Sequence, residues 1–565
     1  MNRYHTPYSL LLLALLSICP ALKAQDLLPD AAGERIEAVT DRTLFISGEE
    51  IFFSVAVCQP IESNAQVFSR VFYCELISPD GNRIAGSKYP LQDFNGEGSL
   101  TIPEETISGI YFLKFYTRFM RNNNTGGYTY IMLKIINPFK AEILKGYDLT
   151  DADTWIEPHV KTDEMTSVLT LPGDKTRFAP RSNVEVTISA KSRNEPASGL
   201  SISVIPEFTW HGLFLQERNI TDTISNGIYY PETRGISLSG KLIAKESGDP
   251  LPNAIVSLSI IGDKDILAVR TDTAGKFFFA LPDYRGNKDI FLCSEDLPEV
   301  TPELFIDNDF CSRPVHLPSP PFELTKDEKN AAFKLAVNSL VTAAFDVNPM
   351  VVDSLEPEEE AGASFYGKPT EVLVMERYID LPTLEEYFTE LTVNVKIRKE
   401  QSRKRFRFLT DLAAMQTYDP LLLVDWVAVD NMEKILSMSP LDIDRIELVN
   451  APYIKGDITY GGIISFVSKK NDFAGIDLPT SGTFVNYQFL EEPGQTDSAN
   501  PLPVHIPDSR NTVYWNPAIQ PGDDGTATIA FTAPDTPGKY IILLRQMNPD
   551  GKVIITQETI EVTVN

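Results

Sequence analysis

The chain has 565 residues, of which 43% are hydrophobic and 23% charged, and its formal net charge is −28. A single hydrophobic core stops growing at roughly 250–300 residues, so this length predicts several domains. The acidic balance excludes general nucleic-acid binding, which depends on a basic surface, and we expect no nucleic-acid partner.

The first residues have the composition of an export signal. Arg3 supplies a positive charge, residues 10–18 form an apolar core, and residues 21–24 are a small-residue cleavage site. We therefore predict that residues 1–24 are a signal peptide and that the mature chain is exported. Lipoprotein processing at Cys19 is the alternative. No later run reaches the roughly 20 apolar residues of a membrane helix, so we expect no transmembrane segment in the mature chain.

Four cysteines remain after this cleavage: Cys58, Cys74, Cys293 and Cys311. An even number in an oxidising compartment permits two disulfides. We expect Cys293 and Cys311 to form one, because both flank a predicted irregular loop. Cys58 and Cys74 lie in predicted strands, and two buried thiols there are an open alternative to a bond.

Residues 34–138 show successive strand patterns. One strand alternates apolar residues on one face: Ile51, Phe53, Val55 and Val57. The preceding segment, with Thr-Asp-Arg at residues 40–42 and Gly-Glu at residues 48–49, resembles the opening of a macroglobulin-like β-sandwich. A second such module is predicted over residues 160–230. Protease-trapping members of that family carry a Cys-Gly-Glu-Gln thioester and a bait region, and the sequence has neither, so that chemistry is not implied.

Residues 235–315 are predicted to form a third sandwich. Strand patterns with Pro, Asn-Ala and Ala-Gly punctuation at residues 250–256 and 271–277 resemble the carboxypeptidase regulatory-like domain, a transthyretin-like module. That resemblance implies a scaffolding role without peptidase residues. Residues 350–366 follow as an acidic linker. We expect it to be mobile, because a segment so poor in apolar residues cannot offset the entropy of ordering.

Residues 370–479 are predicted to form a small α+β unit. Residues 420–424 are an apolar run suited to a buried strand, and Asp430 is predicted to cap a short helix. Two further strands are predicted at residues 446–448 and 463–467. A strand, a helix and two strands in this order make a compact α+β domain, and no catalytic group lies in it.

Three segments of this unit, residues 423–429, 442–448 and 461–464, resemble in order and spacing the plug domain of TonB-dependent outer-membrane receptors. Trp426 stands where that family has Gly, so we expect a turn that does not use a left-handed residue. The stretch after residue 479 is too short for the membrane barrel that follows the plug in those receptors. We therefore expect a plug-like domain without its own barrel.

Residues 508–565 are predicted to be a C-terminal β-module. It opens with Tyr-Trp-Asn-Pro at residues 514–517. The order of all these modules resembles a group of barrel-less envelope proteins of Bacteroidetes-type bacteria. The expected fold class is mostly β: a multidomain string of β-sandwich modules plus one small α+β plug-like domain.

The residue patterns contain no candidate catalytic or metal site. The histidines of the mature chain are dispersed without ligand-like spacing: His159, His211, His316 and His505. The acidic residues at 148–153 lack the Gly and the bidentate Glu of a calcium loop. Nucleophile motifs such as G-x-S-x-G are absent. We therefore predict a protein that is not an enzyme and has no cofactor.

Seven basic residues lie within twelve positions of this acidic chain, with Glu400 as the single acid among them: Lys396, Arg398, Lys399, Arg403, Lys404, Arg405 and Arg407. If residues 392–399 and 403–410 pair as a hairpin, strand alternation places many of these side chains on one face. We call this element the basic hairpin. It is either a solvated hairpin that pairs with acidic neighbouring modules, or a docking patch for an acidic protein, a glycan or lipid phosphates.

Three functions follow from these patterns. The leading hypothesis is a non-enzymatic binding or scaffold protein of the cell envelope, periplasmic or associated with the outer membrane, which presents its plug-like domain to another envelope protein. The second is a component of TonB-dependent transport that works with a separately encoded outer-membrane barrel protein. The third is a macroglobulin-like protease inhibitor.

Overall fold

The structure is a computed structural model that describes residues 34–58, 68–123, 125–146, 155–156, 168–189, 199–212, 214–215, 228–297, 300–345, 364–400, 403–492, 503, 505–547 and 553–564. The protein is mostly β and forms two compact units. The first unit holds Met1–Thr233, Arg313–Asp346 and Pro493–Asn565, and the second holds Arg234–Ser312 and Val347–Glu492. The predicted signal peptide and the core of the predicted acidic linker lie outside the described residues.

The first unit opens with fourteen strands: β1 (Arg35–Thr40), β2 (Leu44–Ile46), β3 (Glu50–Cys58), β4 (Val71–Ile77), β5 (Arg83–Pro90), β6 (Asn95–Thr101), β7 (Gly109–Tyr116), β8 (Thr129–Ile136), β9 (Trp155–Ile156), β10 (Val168–Thr170), β11 (Arg177–Phe178), β12 (Asn183–Ser189), β13 (Leu200–Pro206) and β14 (Phe214–Leu215). The second unit begins with six more: β15 (Ser237–Ala244), β16 (Ile255–Ile260), β17 (Asp265–Arg270), β18 (Lys276–Ala280), β19 (Asn287–Ser294) and β20 (Pro302–Ile306). Helix α1 (Lys326–Phe345) belongs to the first unit.

The second unit then resumes with β21 (Glu371–Val374), α2 (Leu384–Glu390), β22 (Val395–Glu400), β23 (Arg403–Phe408), α3 (Ala413–Thr417), β24 (Leu421–Val424), β25 (Val427–Ala428), α4 (Met432–Leu436), β26 (Ile443–Val449), β27 (Tyr453–Lys455), β28 (Ile458–Tyr460), β29 (Ile463–Ser468) and β30 (Thr483–Gln488). The last strands return to the first unit: β31 (Tyr514–Asn516), β32 (Thr526–Thr532), β33 (Gly538–Met547) and β34 (Val553–Val562).

Sandwich A, the first β-sandwich of the first unit, packs around an aromatic centre. Its sheets have the strand orders β1-β3-β6 and β5-β4-β7-β8-β14-β9, and β2 pairs with β8. Phe53 of β3 is fully buried, and its ring meets those of Phe72, Tyr89 and Phe115 edge-on across the two sheets. Gly98 lies opposite Phe53 in β6, and a Cβ atom there would lie 2.6 Å from the Tyr89 ring.

Sandwich B combines the segments that were predicted as two separate modules, residues 160–230 and residues 508–565. Its sheets have the orders β10-β12-β32 and β11-β34-β33-β13-β31. The register of β12 with β32 runs from Asn183↔Thr532 to Ser189↔Thr526, and β13 pairs with both β31 and β33. The structure therefore differs from the prediction, because the apolar residues of β12 and β13 share one core with strands from the end of the chain.

The Thr-Asp-Arg and Gly-Glu segments at residues 40–49 form a buried polar cluster with sandwich B. Arg42 donates to the Glu49 carboxylate at 2.9 Å. Arg545 donates to the Ser203 hydroxyl and to the Asp41 carbonyl, both at 2.9 Å. Burial raises the pKa of Asp41 to about 6 and lowers the pKa of Arg545 to about 10. These motif residues therefore join the two sandwiches of the first unit.

Helix α1 was not predicted from the sequence. Its inner face, with Ala331, Ala332 and Leu335, packs on the apolar residues of β2. Thr325 and Glu328 form a capping box at its start, because each side chain accepts a hydrogen bond from the backbone N–H of the other. One side of the helix is thus buried against sandwich A.

Sandwich C forms the first part of the second unit. Its sheets have the orders β18-β15-β20 and β17-β16-β19-β30. Strand β30 pairs with β19 from Asn287↔Gln488 to Leu292↔Thr483. The module predicted at residues 235–315 is therefore completed by a later strand, and the α+β domain at residues 370–479 is inserted before that strand.

The α+β domain contains a five-stranded sheet with the order β21-β26-β29-β24-β25. Strands β24 and β29 lie where the sequence predicted them, and they are parallel. Helix α4 is capped by Asn431, whose side chain accepts from the Lys434 N–H at 3.1 Å, so the prediction of Asp430 as the cap is wrong. Asp430 instead accepts from the Asp296 N–H at 2.8 Å.

The turn between β24 and β25 also differs from the prediction. Asp425 and Trp426 have φ angles of 46° and 63°, so this turn does use left-handed residues. The Asp425 carboxylate accepts from the backbone N–H groups of Ser468 at 2.7 Å and Phe473 at 2.9 Å. These bonds hold the turn in a conformation that a bulky residue rarely adopts.

Candidate binding surface

The basic residues at 396–407 lie on the antiparallel hairpin of β22 and β23, as the sequence predicted. The alternate residues Val395, Phe406 and Phe408 point into the core of the α+β domain, and Ile397 packs against it. Because side chains alternate across a strand, the opposite face carries most of the basic residues: Lys396, Arg398, Arg405 and Arg407. Lys399 and Lys404 fall on the same side as Val395 in this alternation. The hairpin is thus fixed to the domain by its apolar face.

The register places like charges directly opposite each other. Lys396 pairs with Arg407, and Arg398 pairs with Arg405, all on the outer face. Lys399 and Lys404 are opposite each other near the tip. Like charges in such positions destabilise a strand pair unless anions lie nearby. The hairpin therefore needs nearby negative charges or hydrogen-bond acceptors to stabilise it.

The domain itself supplies some of these partners. Lys396 donates to the carbonyls of Phe388 at 3.4 Å and Thr389 at 2.9 Å, at the end of α2, where carbonyl groups attract cations. Lys404 pairs with Glu385 at 2.6 Å. Arg405 and Arg407 share the Asp419 carboxylate, one on each oxygen. Sequence analysis missed both acids, because neither is adjacent to the hairpin in the chain.

The positive charges at the tip of the hairpin are less fully paired with acidic residues of the described chain. Arg398 and Lys399 are exposed and form no ion pair with any residue that the structure describes. The Arg403 side chain lies outside the described positions, and Lys404 is half exposed in its pair with Glu385. We call Arg398, Lys399 and Lys404 the basic tip. Of the six predicted residues whose side chains the structure describes, these three are the exposed ones.

Exposed aliphatic residues lie at the base of the same hairpin. Val393 is 74% exposed, Leu409 43% and Leu412 51%. The Leu409 N–H donates to the Asn394 carbonyl at 2.7 Å, so the segments that carry Val393 and Leu409 lie side by side. The candidate surface therefore combines positive charge at the tip with apolar side chains at the base, a composition suited to binding a protein.

The predicted disulfide between Cys293 and Cys311 is not formed. Both are buried thiols, as are Cys58 and Cys74. The Cys293 side chain packs with Phe291 and Val427, and the strand that precedes Cys311 lies in the other sheet of sandwich C. Cys293 thus lies in a strand of one sheet, and Cys311 follows a strand of the other. Burial raises the pKa of the Cys293 thiol to about 12.

Within the described ranges, no group of three or more His, Cys, Asp or Glu side chains could hold a metal ion. The described helices include none that is both long and apolar enough to cross a membrane. The acidic residues at 148–153 lie outside the part of the chain that the structure describes.

No protein-family model and no curated protein matches this chain. Solved structures of bacterial α2-macroglobulins match it at low similarity. Trypsin-activated α2-macroglobulin from Escherichia coli covers 95% of this chain and 43% of its own, at 8% identity and a TM-score of 0.23. The elastase-activated form covers 94% and 44%, at 8% identity and a TM-score of 0.24. This chain thus spans less than half the length of those proteins.

Proposed function

We propose that this chain is a non-enzymatic binding or scaffold protein of the bacterial cell envelope, and that it presents its α+β, plug-like domain to a partner at the outer membrane through the basic hairpin. The observation that carries the proposal is the basic tip. Arg398 and Lys399 stay exposed without an ion pair in the described part of a chain whose net charge is −28. Surface cations in such a setting steer and hold acidic partners.

The partner that fits this surface best is an acidic protein. A glycan or a lipid phosphate would meet the charges of the tip, but it would leave Val393, Leu409 and Leu412 uncovered. A protein with an acidic patch beside an apolar one can cover both parts. Buried apolar contacts would supply affinity, and the charges would supply orientation and association rate.

The test is a crosslinking pull-down from intact cells with the double variant Arg398→Glu/Lys399→Glu. Neither residue forms an ion pair within the described ranges, so folding should be unchanged while recovery of the partner falls. Lys241→Glu/Lys276→Glu is the matched control, because it reverses two exposed lysines on sandwich C of the same unit. Wild-type recovery should decrease as salt rises, with a screening length of about 8 Å at physiological ionic strength. Equal recovery by both double variants would reject the tip as the docking patch.

The identity of the recovered protein separates this proposal from transport. A stoichiometric outer-membrane barrel protein would favour the transport function, to which the plug-like segments at residues 423–429, 442–448 and 461–464 also point. Recovery of other envelope proteins would favour the scaffold. A protease that cleaves the chain without being trapped would argue against the inhibitor function.

A further inference from the structure

Helix α1 carries an apolar stripe on its exposed side. Phe333, Val337 and Leu340 are 71%, 41% and 54% exposed, and Ala344 continues the same 4-3-4 spacing. Residues spaced alternately four and three positions apart lie along one line of a helix surface, as in coiled coils. We call the line formed by Phe333, Val337, Leu340 and Ala344 the seam. Lys334 is the only charged residue between positions 333 and 345. A helix that is apolar on two sides is ordinarily covered on both.

A groove of about 530 Å³ runs beside this seam. Its apolar lining comes from the helix and from two facing loops: Phe333, Val337, Val341, Phe345, Pro507 and Pro537. The acids on its wall are already paired, Asp508 with Arg510 at 2.7 Å and Asp535 with Arg181 at 2.6 Å. The groove therefore provides a mainly apolar binding surface beside the exposed seam of α1.

We propose that a second copy of this chain occupies this seam, with the two α1 helices packed antiparallel about a two-fold axis. The seam is symmetric about the midpoint between residues 338 and 339. An antiparallel pair therefore sets Phe333 against Ala344 of the second copy, and Val337 against Leu340. In this register the large Phe333 meets the small Ala344, and Val337 meets Leu340, which gives the self-complementarity that a two-fold interface requires.

The charges support the antiparallel direction. Lys334 of one copy lies beside residue 343 of the other, close to the last carbonyl groups of that helix, where a cation is stabilised. A parallel pair would instead set Phe333 against Phe333 and Lys334 beside Lys334. Both size and charge thus favour the antiparallel pair.

Sedimentation of the full mature chain tests the association. The wild-type chain should show a concentration-dependent dimer, and Phe333→Glu and Leu340→Glu should each raise its dissociation constant by about tenfold or more. Phe139→Glu is the matched control, since Phe139 is also on the first unit and is 77% exposed. It should leave the dissociation constant unchanged. A wild-type chain that stays monomeric at its highest soluble concentration would overturn the proposal.

Cysteine crosslinking tests the register. Two copies of residue 337 would be about 5 Å apart along the axis, whereas two copies of residue 333 would be about 16 Å apart. Val337→Cys should therefore form a disulfide-linked dimer under mild oxidation, and Phe333→Cys should not. Equal crosslinking of both variants would exclude the antiparallel pair.

Flotation with phosphatidylglycerol vesicles tests whether the stripe binds a lipid surface instead. If the wild-type chain floats with the vesicles and Phe333→Glu does not, the stripe is a lipid-binding surface and the proposal is overturned.

Discussion

The Arg545 guanidinium donates a hydrogen bond of 2.9 Å to the backbone carbonyl of Asp41. The same carbonyl accepts from the Ser203 hydroxyl at 3.0 Å. Asp41 and Arg545 are 0% and 1% exposed, so three distant segments meet in one buried cluster. This contact ties the last long strands of the chain to the first sandwich, and it gives the motif at residues 40–49 a structural role.

Replacing Asp41 by Asn should change how stability depends on pH. Burial raises the pKa of Asp41 from its ordinary value of 3.8 to about 6. Because the folded pKa is the higher one, the contribution of Asp41 is fully present below pH 3.8 and is lost as the pH rises through 6. At about 1.4 kcal/mol per pKa unit, the loss is up to about 3 kcal/mol. Urea unfolding from pH 4 to pH 7 should therefore show Asp41→Asn gaining stability relative to the wild type. A constant difference across this range would contradict the burial argument.

Gly98→Ala should destabilise sandwich A. The added Cβ atom would lie 2.6 Å from the Tyr89 ring and 2.8 Å from the Phe53 ring, and both rings are fully buried. Overpacking of this kind costs about 1–3 kcal/mol. Gly127→Ala is the control, because its added Cβ would have no neighbour closer than 4.0 Å. Thermal unfolding should show a lower midpoint for Gly98→Ala alone.

Replacing Trp426 by Gly should destabilise the protein less than replacing it by Ala. Trp426 has a φ of 63°, and its indole N–H donates to the Ser364 hydroxyl at 3.3 Å. Trp426→Gly and Trp426→Ala both lose the indole. Alanine still has a Cβ atom, which is strained in the left-handed conformation, whereas glycine adopts this conformation without strain. Trp426→Gly should therefore be about 1 kcal/mol more stable than Trp426→Ala in chemical denaturation. Equal stability would mean that this turn carries no such strain.

Asp419→Asn should strengthen binding of the acidic partner. The change removes the negative charge that Arg405 and Arg407 share while keeping the shape of the Asp419 side chain. Asp419 is 51% exposed, so the free energy of unfolding should change by less than about 1 kcal/mol. Pull-down or titration with the partner should show higher affinity and a steeper salt dependence than for the wild type. Weaker binding would mean that the Asp419 pairs shape the docking surface.

The four described cysteines should all react as thiols once the protein is unfolded. Burial raises the pKa of Cys293 to about 12 and raises that of Cys74 well above its usual value, so the folded chain should label slowly with iodoacetamide. Unfolding without reductant should then add four labels to the mature chain by mass spectrometry. Two labels fewer would reveal a disulfide that the structure does not contain.

Local patterns in the sequence determined the individual strands and the exposed side of the hairpin. The alternation from Ile51 to Val57 predicted β3, and the apolar run at residues 420–424 predicted β24. The pattern of residues 392–399 and 403–410 predicted a hairpin that carries many of its basic side chains on one face. These features depend on neighbours two to four residues apart, so a short window of sequence contains the information.

Only the tertiary structure decided which strands share a sheet and which charges are neutralised. The pairing of Val186 with Ile529 joins segments that were predicted as separate modules, and Asp419 removes two arginines from the candidate surface. The seam from Phe333 to Ala344 had a periodic signal, but its exposure depends on which side of α1 sandwich A covers. Such choices are set by packing between segments that lie from 12 to several hundred residues apart, and this is why the pattern within each segment did not contain them.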